Sequence, residues 1–444
     1  MSIFSVFFVV PAAAHAGSLN LSAEPEPIPR WVYAVSGGGV VGISFLFSAL
    51  VTDREVVHGL RDRRVAFPSG GRLFRTVGRV LGVGVLLAVL VVGFFGPDQA
   101  VANLAVLVVW VGWWAGYTMS TYLVGNSWPW LNPWRTITSF FPTLDRSYPE
   151  EFGRYPAVLG LVALVYLEVV TPLADNPSLL ASVILVYSTF TLIGAALFGP
   201  GDYFSKIDPV ANVFSFYGRL APLQWSGDRP TLVAPTGMLS EGTVVEGRDD
   251  IAFVISLLWV TTFDGLVSTP WGVDMIRFIV GLGVPVLLTY AVVLIAGLFL
   301  FFGAYELAVR GIRWSANTFV SRKTIALRFA PTLLPIAGAY HLAHFLGYFL
   351  ELAPALLSTL FHPLSAVSSV PVLVLPDWFG MLALLFVIVG HVIAVWAAHG
   401  TAFDVFTGRV QPIRSQYPLA LLMMAYTMTS MWIVSQPIRS PPFV

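Results

Sequence analysis

Apolar runs of 18 or more residues recur along the whole chain, each bounded by charge, proline or glycine. Each is long enough to cross the roughly 30 Å hydrocarbon core of a bilayer as a helix. The runs predict spans at 31–51, 80–96, 100–124, 156–174 and 178–198, then at 251–269, 277–303, 329–352, 378–398 and 417–435. Backbone polar groups in lipid must be satisfied within the segment, so ten such runs specify an all-α, polytopic transmembrane bundle. The pattern divides the chain into a membrane block over 31–124, a loop over 125–155 and a helical hairpin over 156–198. A second loop over 199–250, a second membrane block over 251–435 and a tail over 436–444 follow. Ahead of them, residues 1–20 carry an apolar core and then Ala14-His15-Ala16, the pattern of a signal-peptide cleavage site. They lack Lys and Arg, so the segment reads as a signal peptide or as an uncleaved hydrophobic N-terminus.

Composition agrees with this pattern. The chain of 444 residues is 57% hydrophobic and 11% charged, and its mean hydropathy is +0.79. A soluble protein of this size needs far more charge to cover its surface. Net charge is +0, so no basic excess points to nucleic acid, and the absence of cysteine removes thiolate metal sites and cysteine nucleophiles. If Trp31 enters from outside, only Arg30, Arg277 and Arg439 of the 24 Lys and Arg residues fall outside. This positive-inside asymmetry predicts a plasma-membrane protein with both termini extracytoplasmic. The basic loops read as topology signals that meet anionic lipid headgroups. Gly37-Gly38-Gly39 lacks P-loop spacing and reads as a site of close helix packing.

Two inside loops resemble each other. Gly125 to Pro133 (GNSWPWLNP), running on to Ser139-Phe140-Phe141, matches Gly201 to Pro209 (GDYFSKIDP), running on to Ser215-Phe216-Tyr217, at an offset of 76 residues. Each follows a helix running inward, which suggests a parallel duplication of helical hairpins. Asx-Pro favours a turn followed by a helix start, so each loop is expected to end in a short interfacial helix. A weaker pair sets Ala339 to His344 (AYHLAH) against Ala425 to Ser430 (AYTMTS). Thr427 and Ser430 stand where the first copy has His341 and His344, so the scaffold does not require histidine there.

Ionisable residues inside a bilayer are costly and mark functional sites by default. The candidates are His341, His344, His391, Asp264 and Glu168, with His399 and Glu306 at the inner ends. His341 and His344 share a helix face. At about 1.5 Å per residue, His344 lies about 12 Å from the outer end of its span, His341 about 16 Å, His391 about 20 Å and Asp264 about 7 Å. These depths allow one cluster in which His341, His344 and His391 hold a transition metal and Asp264 is a fourth ligand or orients an imidazole. Zn, Cu or Fe would suit imidazole, and three ligands with an open position could activate water. Alternatively His391 and one of the first pair could bind haem axially. Each histidine could equally hydrogen-bond a neighbouring helix. Trp110, Trp113 and Trp114 read as packing or lipid-facing positions, with a quinone platform as the alternative. His58 and His362 are expected in solvent.

Several motifs together resemble a family of polytopic membrane proteins of actinobacteria and haloarchaea labelled fenitrothion hydrolase. They are Trp128 to Thr136 (WPWLNPWRT), Asp208-Pro209-Val210, Gly218 to Pro222 (GRLAP), Thr262-Phe263-Asp264, Ala339 to His344, and Gly390-His391-Val392 through Ala398-His399. Each is short, and their order over residues 100 to 400 carries the likeness. Gly400-Thr401 departs from the acidic-basic pair of the family. The label implies hydrolysis of an organophosphate triester, for which metal-activated water is a fitting mechanism. Three functions follow as expectations: a metal-dependent hydrolase of a lipophilic ester, a haem- or copper-binding redox protein, and a transporter or assembly factor. No G-x-S-x-G elbow is present to suggest serine chemistry.

Overall fold

In the computed structural model, residues 29–444 are described except 62, 68–70, 145, 227–228, 235, 240–241, 243 and 366–368. The leader expected over 1–20 lies outside the described residues. Nine described helices are long and apolar enough to cross a membrane, and the chain is an all-α polytopic bundle. The helices are α1 (Arg30–Leu50), α2 (Gly71–Phe95), α3 (Leu104–Leu123), a shorter α4 (Tyr155–Val170), α5 (Pro177–Asp202), α6 (Arg248–Val267), α7 (Val286–Ala316), α8 (Leu334–Leu360), α9 (Phe379–Val405) and α10 (Val410–Val434). With 16 residues, α4 spans about 24 Å and is the shortest of the ten.

Helix α6 forms the centre: 83% of its apolar window is buried, against 22% for α2 and α7. Helices α4, α7 and α8 pack around it, while α1, α9 and α10 form a second group joined to the first by α9 on α8 and α10 on α7. Small residues permit the close crossings, as packing in lipid requires. Gly297 of α7 takes the Trp259 ring of α6, whose Nε1 donates to the Leu294 carbonyl at 2.7 Å. Gly37 and Gly38 of α1 meet Met431 and Met428 of α10, so the glycine run does serve packing.

The span expected at 277–303 is displaced. Residues Pro270–Gly281 form a separate short helix, Gly283 turns at φ +92°, and the membrane helix starts after Pro285. Pro285 sets the new N-terminus because proline suits a helix start and breaks a helix interior. The span expected to end at 352 continues to Leu360, since Pro354 is followed by further helix formers. Helix α5 ends effectively at 198, as expected, because Gly199 adopts φ 78° before Pro200. Pro200 supplies no N–H, and the freed Ala196 carbonyl accepts from Leu144 N at 2.8 Å.

The duplicated loops fold alike. Asn132 caps the helix Pro133–Thr138 by accepting from Arg135 N at 2.9 Å, and Asp208 caps Pro209–Tyr217 by accepting from Ala211 N at 2.7 Å. They differ from the expected interfacial helices in one respect: Val210, Phe214, Phe216 and Tyr217 are buried, as are Trp128 and Trp134. Both segments turn inward and close the basic end of the bundle. A small antiparallel sheet, absent from the sequence reading, also lies at this end. Its strands β1 (Arg64–Ala66), β2 (Leu223–Ser226) and β3 (Arg229–Val233) are ordered β1-β3-β2, with Val65 opposite Leu232. Strands of three to five residues carry too little periodicity to be legible alone.

Candidate functional site

The loops and the bundle enclose a cavity of about 540 Å³, within the roughly 300–1,000 Å³ range of small-molecule sites. Its floor is formed by the inward-turned loops, through Trp128, Trp134 and Phe214. Its walls come from α2, α3, α4 and α5, and are almost wholly apolar. Leu81 and Val85 of α2 line it while remaining 55% and 47% exposed, so the cavity opens sideways toward the bilayer. The polar groups gather at one end: Glu168 of α4, Thr261 and Asp264 of α6, and Tyr340, His341 and His344 of α8.

The wall contributed by α3 is a π-helix over Val108–Tyr117, a form concentrated at functional sites. It carries Trp110, Trp113 and Trp114 along the cavity. The tryptophans expected as packing or lipid-facing positions are therefore cavity lining. Gly112 and Gly116 let this segment approach Leu356 and Phe349 of α8.

His344 and Asp264 meet: Nε2 stands 3.4 Å from Oδ2. The contact is within ion-pair distance but is not aligned as a hydrogen bond, so Nε2 keeps no hydrogen-bond partner among the described residues. Glu168 lies within electrostatic reach of Asp264. The Thr-Phe-Asp-Gly motif has a structural reason, because a Cβ on Gly265 would strike the Tyr340 hydroxyl. Glycine there admits Tyr340 beside Asp264, where its hydroxyl is buried and unpartnered among the described residues.

His341 is boxed by the rings of Trp114, Tyr122, Tyr217 and Phe345, at 5.8, 5.8, 6.0 and 4.7 Å between centroids. Its Nδ1 lies 3.0 Å from the Tyr122 hydroxyl, and its buried Nε2 has no hydrogen-bond partner among the described residues. Tyr122 was missed from sequence because it closes α3 at the basic end, where a tyrosine ordinarily marks an interface.

His391 stands apart from this constellation. It is fully buried, its Nδ1 lies 2.8 Å from the Val387 carbonyl one turn earlier, and it does not line the cavity. The reason is rotational. Gly390 packs on Ala339 and Pro335 of α8, and Ala339 lies about 200° around that helix from His341 at 100° per residue. Helix α9 thus covers the flank of α8 that faces away from α6. Among the described residues no group of three or more His, Asp or Glu residues is placed to hold a metal ion. The four-ligand set of His341, His344, His391 and Asp264 is not assembled, and depth matched three histidines that the packing separates. His344 and Asp264 alone could offer two neighbouring donors.

His399 and His58 have structural partners. His399 is buried, with Nε2 2.8 Å from the Val51 carbonyl and Nδ1 3.2 Å from Gln416 Oε1, tying α1, α9 and α10 together. His58 lies 3.7 Å from Asp404 instead of standing free in solvent, whereas His362 is exposed as expected. Arg54 donates to the carbonyls of Phe403 and Phe406 at the end of α9. Comparison with protein-family models, with curated proteins and with solved structures gives no match to this chain.

Proposed function

We propose that the protein binds a lipophilic ester that enters from the bilayer and hydrolyses it at the polar end of the cavity. The observation that carries this reading is the pairing of His344 with Asp264 at the end of a 540 Å³ apolar chamber. The substrate's apolar body lies along the tryptophan wall, and its ester group meets α8. Asp264, with Oδ2 3.4 Å from Nε2, stabilises by its charge the imidazolium that forms when His344 takes a proton. A water attacks the ester carbon or phosphorus, and its proton passes to His344. The imidazolium then returns that proton to the leaving oxygen as the bond to it breaks. With Tyr122 donating to Nδ1 of His341, the hydrogen on Nε2 of His341 faces the oxygen on which charge develops.

The resemblance to fenitrothion hydrolase-like proteins supports the same reaction class, with a phosphate triester as one substrate. This reading asks for no metal. The redox alternative finds less support, because His391 is turned away from the other two histidines. The basic asymmetry supports a plasma-membrane location with the basic end, and with it the floor of the cavity, inside.

The test is hydrolysis of a long-chain aryl ester and of an aryl phosphate triester by the full chain in lipid nanodiscs, with a photoreactive aryl ether reporting binding. Turnover above empty nanodiscs, lost in Asp264→Asn, supports the proposal. Labelling of the cavity without turnover overturns the hydrolase reading and leaves a binding protein. No labelling overturns both.

A further inference from the structure

A second concavity, of about 270 Å³, lies where α7 ends and the chain turns back toward α8. Arg310, Arg313 and Arg322 line it with Trp314, Asn317 and Thr318, and no carboxylate contributes to the lining. The turn between the arginines is fixed. Asn317 takes the left-handed conformation at φ 46°, with its N–H on the Trp314 carbonyl at 3.1 Å. Gln411 Nε2 donates to the Ala316 carbonyl at 2.9 Å, and Ser321 caps the next helix by accepting from Thr324 N at 3.0 Å. The first two of these bonds already serve carbonyls at the end of α7, at Trp314 and Ala316. Three guanidiniums held around one hollow repel one another unless an anion sits between them. Trp314 lines the hollow at 85% exposure, and Phe319, next in the chain to the lining Thr318, is fully exposed. Aromatic side chains so exposed beside a membrane helix belong at headgroup level.

We propose that this hollow binds the phosphate of an anionic phospholipid, with the guanidiniums as forked donors and Trp314 and Phe319 resting in the interface. A free phosphate would satisfy the same donors, but it would make no use of the two exposed rings. The proposal is independent of the cavity and its chemistry.

The test compares delipidated full-length protein in nanodiscs of phosphatidylcholine alone and of phosphatidylcholine with an equal share of phosphatidylglycerol. Lipid retained after extraction is counted by native mass spectrometry, and melting is followed in parallel. Wild type should retain phosphatidylglycerol selectively and melt higher in its presence. An arginine near the headgroups contributes about a fivefold gain, so R310Q/R313Q/R322Q should bind phosphatidylglycerol roughly 100-fold more weakly. R277Q, at the opposite end, should retain it as wild type does. Should the triple variant not fold, R313Q alone and a salt titration of wild type must show the same loss of selectivity in graded form. Equal retention of both lipids, or loss that R277Q reproduces, overturns the site. Stabilisation by inorganic phosphate in phosphatidylcholine discs to the level of phosphatidylglycerol overturns the lipid assignment.

Discussion

The two matched segments, Ala339 to His344 in α8 and Ala425 to Ser430 in α10, are both helical with a buried tyrosine but satisfy their polar groups in different ways. In α10, Thr427 donates to the Met423 carbonyl at 2.7 Å, and the Tyr426 hydroxyl donates to the Phe301 carbonyl at 3.4 Å. The segment is a packing seam, with the Thr427 methyl against Gly37 of α1. In α8 the Tyr340 hydroxyl and the Nε2 atoms of His341 and His344 are buried without a hydrogen-bond partner among the described residues. An unmade hydrogen bond on a buried polar group costs about 1–3 kcal/mol. Three such groups line the same cavity, and the proposed binding reading rests on them. One copy satisfies its hydroxyls within the bundle, on its own helix and on α7, and the other leaves its polar atoms facing the cavity region.

Substitutions can break this contrast. The largest expected effect is on turnover: Asp264→Asn or His344→Gln should lower ester hydrolysis by at least about 100-fold, the usual contribution of acid–base catalysis. Thr427→Val in the matched seam should leave turnover unchanged, and a comparable loss there would end the distinction. Steric filling should separate the two sides next. Gly37→Leu should lower stability by about 1–3 kcal/mol through overpacking, read as a lower melting point. Val85→Trp at the lateral mouth should leave melting unchanged but weaken probe binding by about tenfold.

A second contrast lies between the duplicated caps Asn132 and Asp208. Burial raises the Asp208 carboxyl to about 6, opposed by the N–H of Ala211 and the Tyr187 hydroxyl. A folded-state value raised above the unfolded one means the native state holds the extra proton. Stability from this group is then present below about pH 4 and is lost as pH rises through 6, by about 3 kcal/mol. Asp208→Asn, which copies Asn132, should flatten the melting profile between pH 4 and 7; an unchanged slope would show that other groups set it. The smallest effect expected is for Tyr122→Phe. Removing one hydrogen bond to the buried His341 should lower turnover by about fivefold, about 1 kcal/mol, and lower the melting point to a similar small extent.

Part of this site was legible from residue type and helix phase. His341 and His344 had to share a face because they are three apart, and Asp264 had to lie near an outer helix end because little apolar sequence follows it. Glu168 could be flagged as an intramembrane acid, but not as a neighbour of Asp264. The grouping with His391 rested on depth, and depth is one coordinate of three. The azimuth of α9 is set by Gly390 against Ala339, a contact between helices that no single-helix pattern encodes.

By itself the sequence determined the class, the approximate spans, the asymmetry of charge and the Asx-Pro caps, because these follow from local length, hydropathy and backbone chemistry. Tertiary structure decided what surrounds each polar group. It turned the duplicated loops inward as a floor, made the tryptophans a cavity wall through the π-helical segment of α3, and paired His344 with Asp264 while setting His391 apart. In lipid the apolar faces of helices are nearly interchangeable, so the choice of neighbours falls to shape complementarity at residues such as Gly265, Gly297 and Gly390. That complementarity exists only once the helices meet.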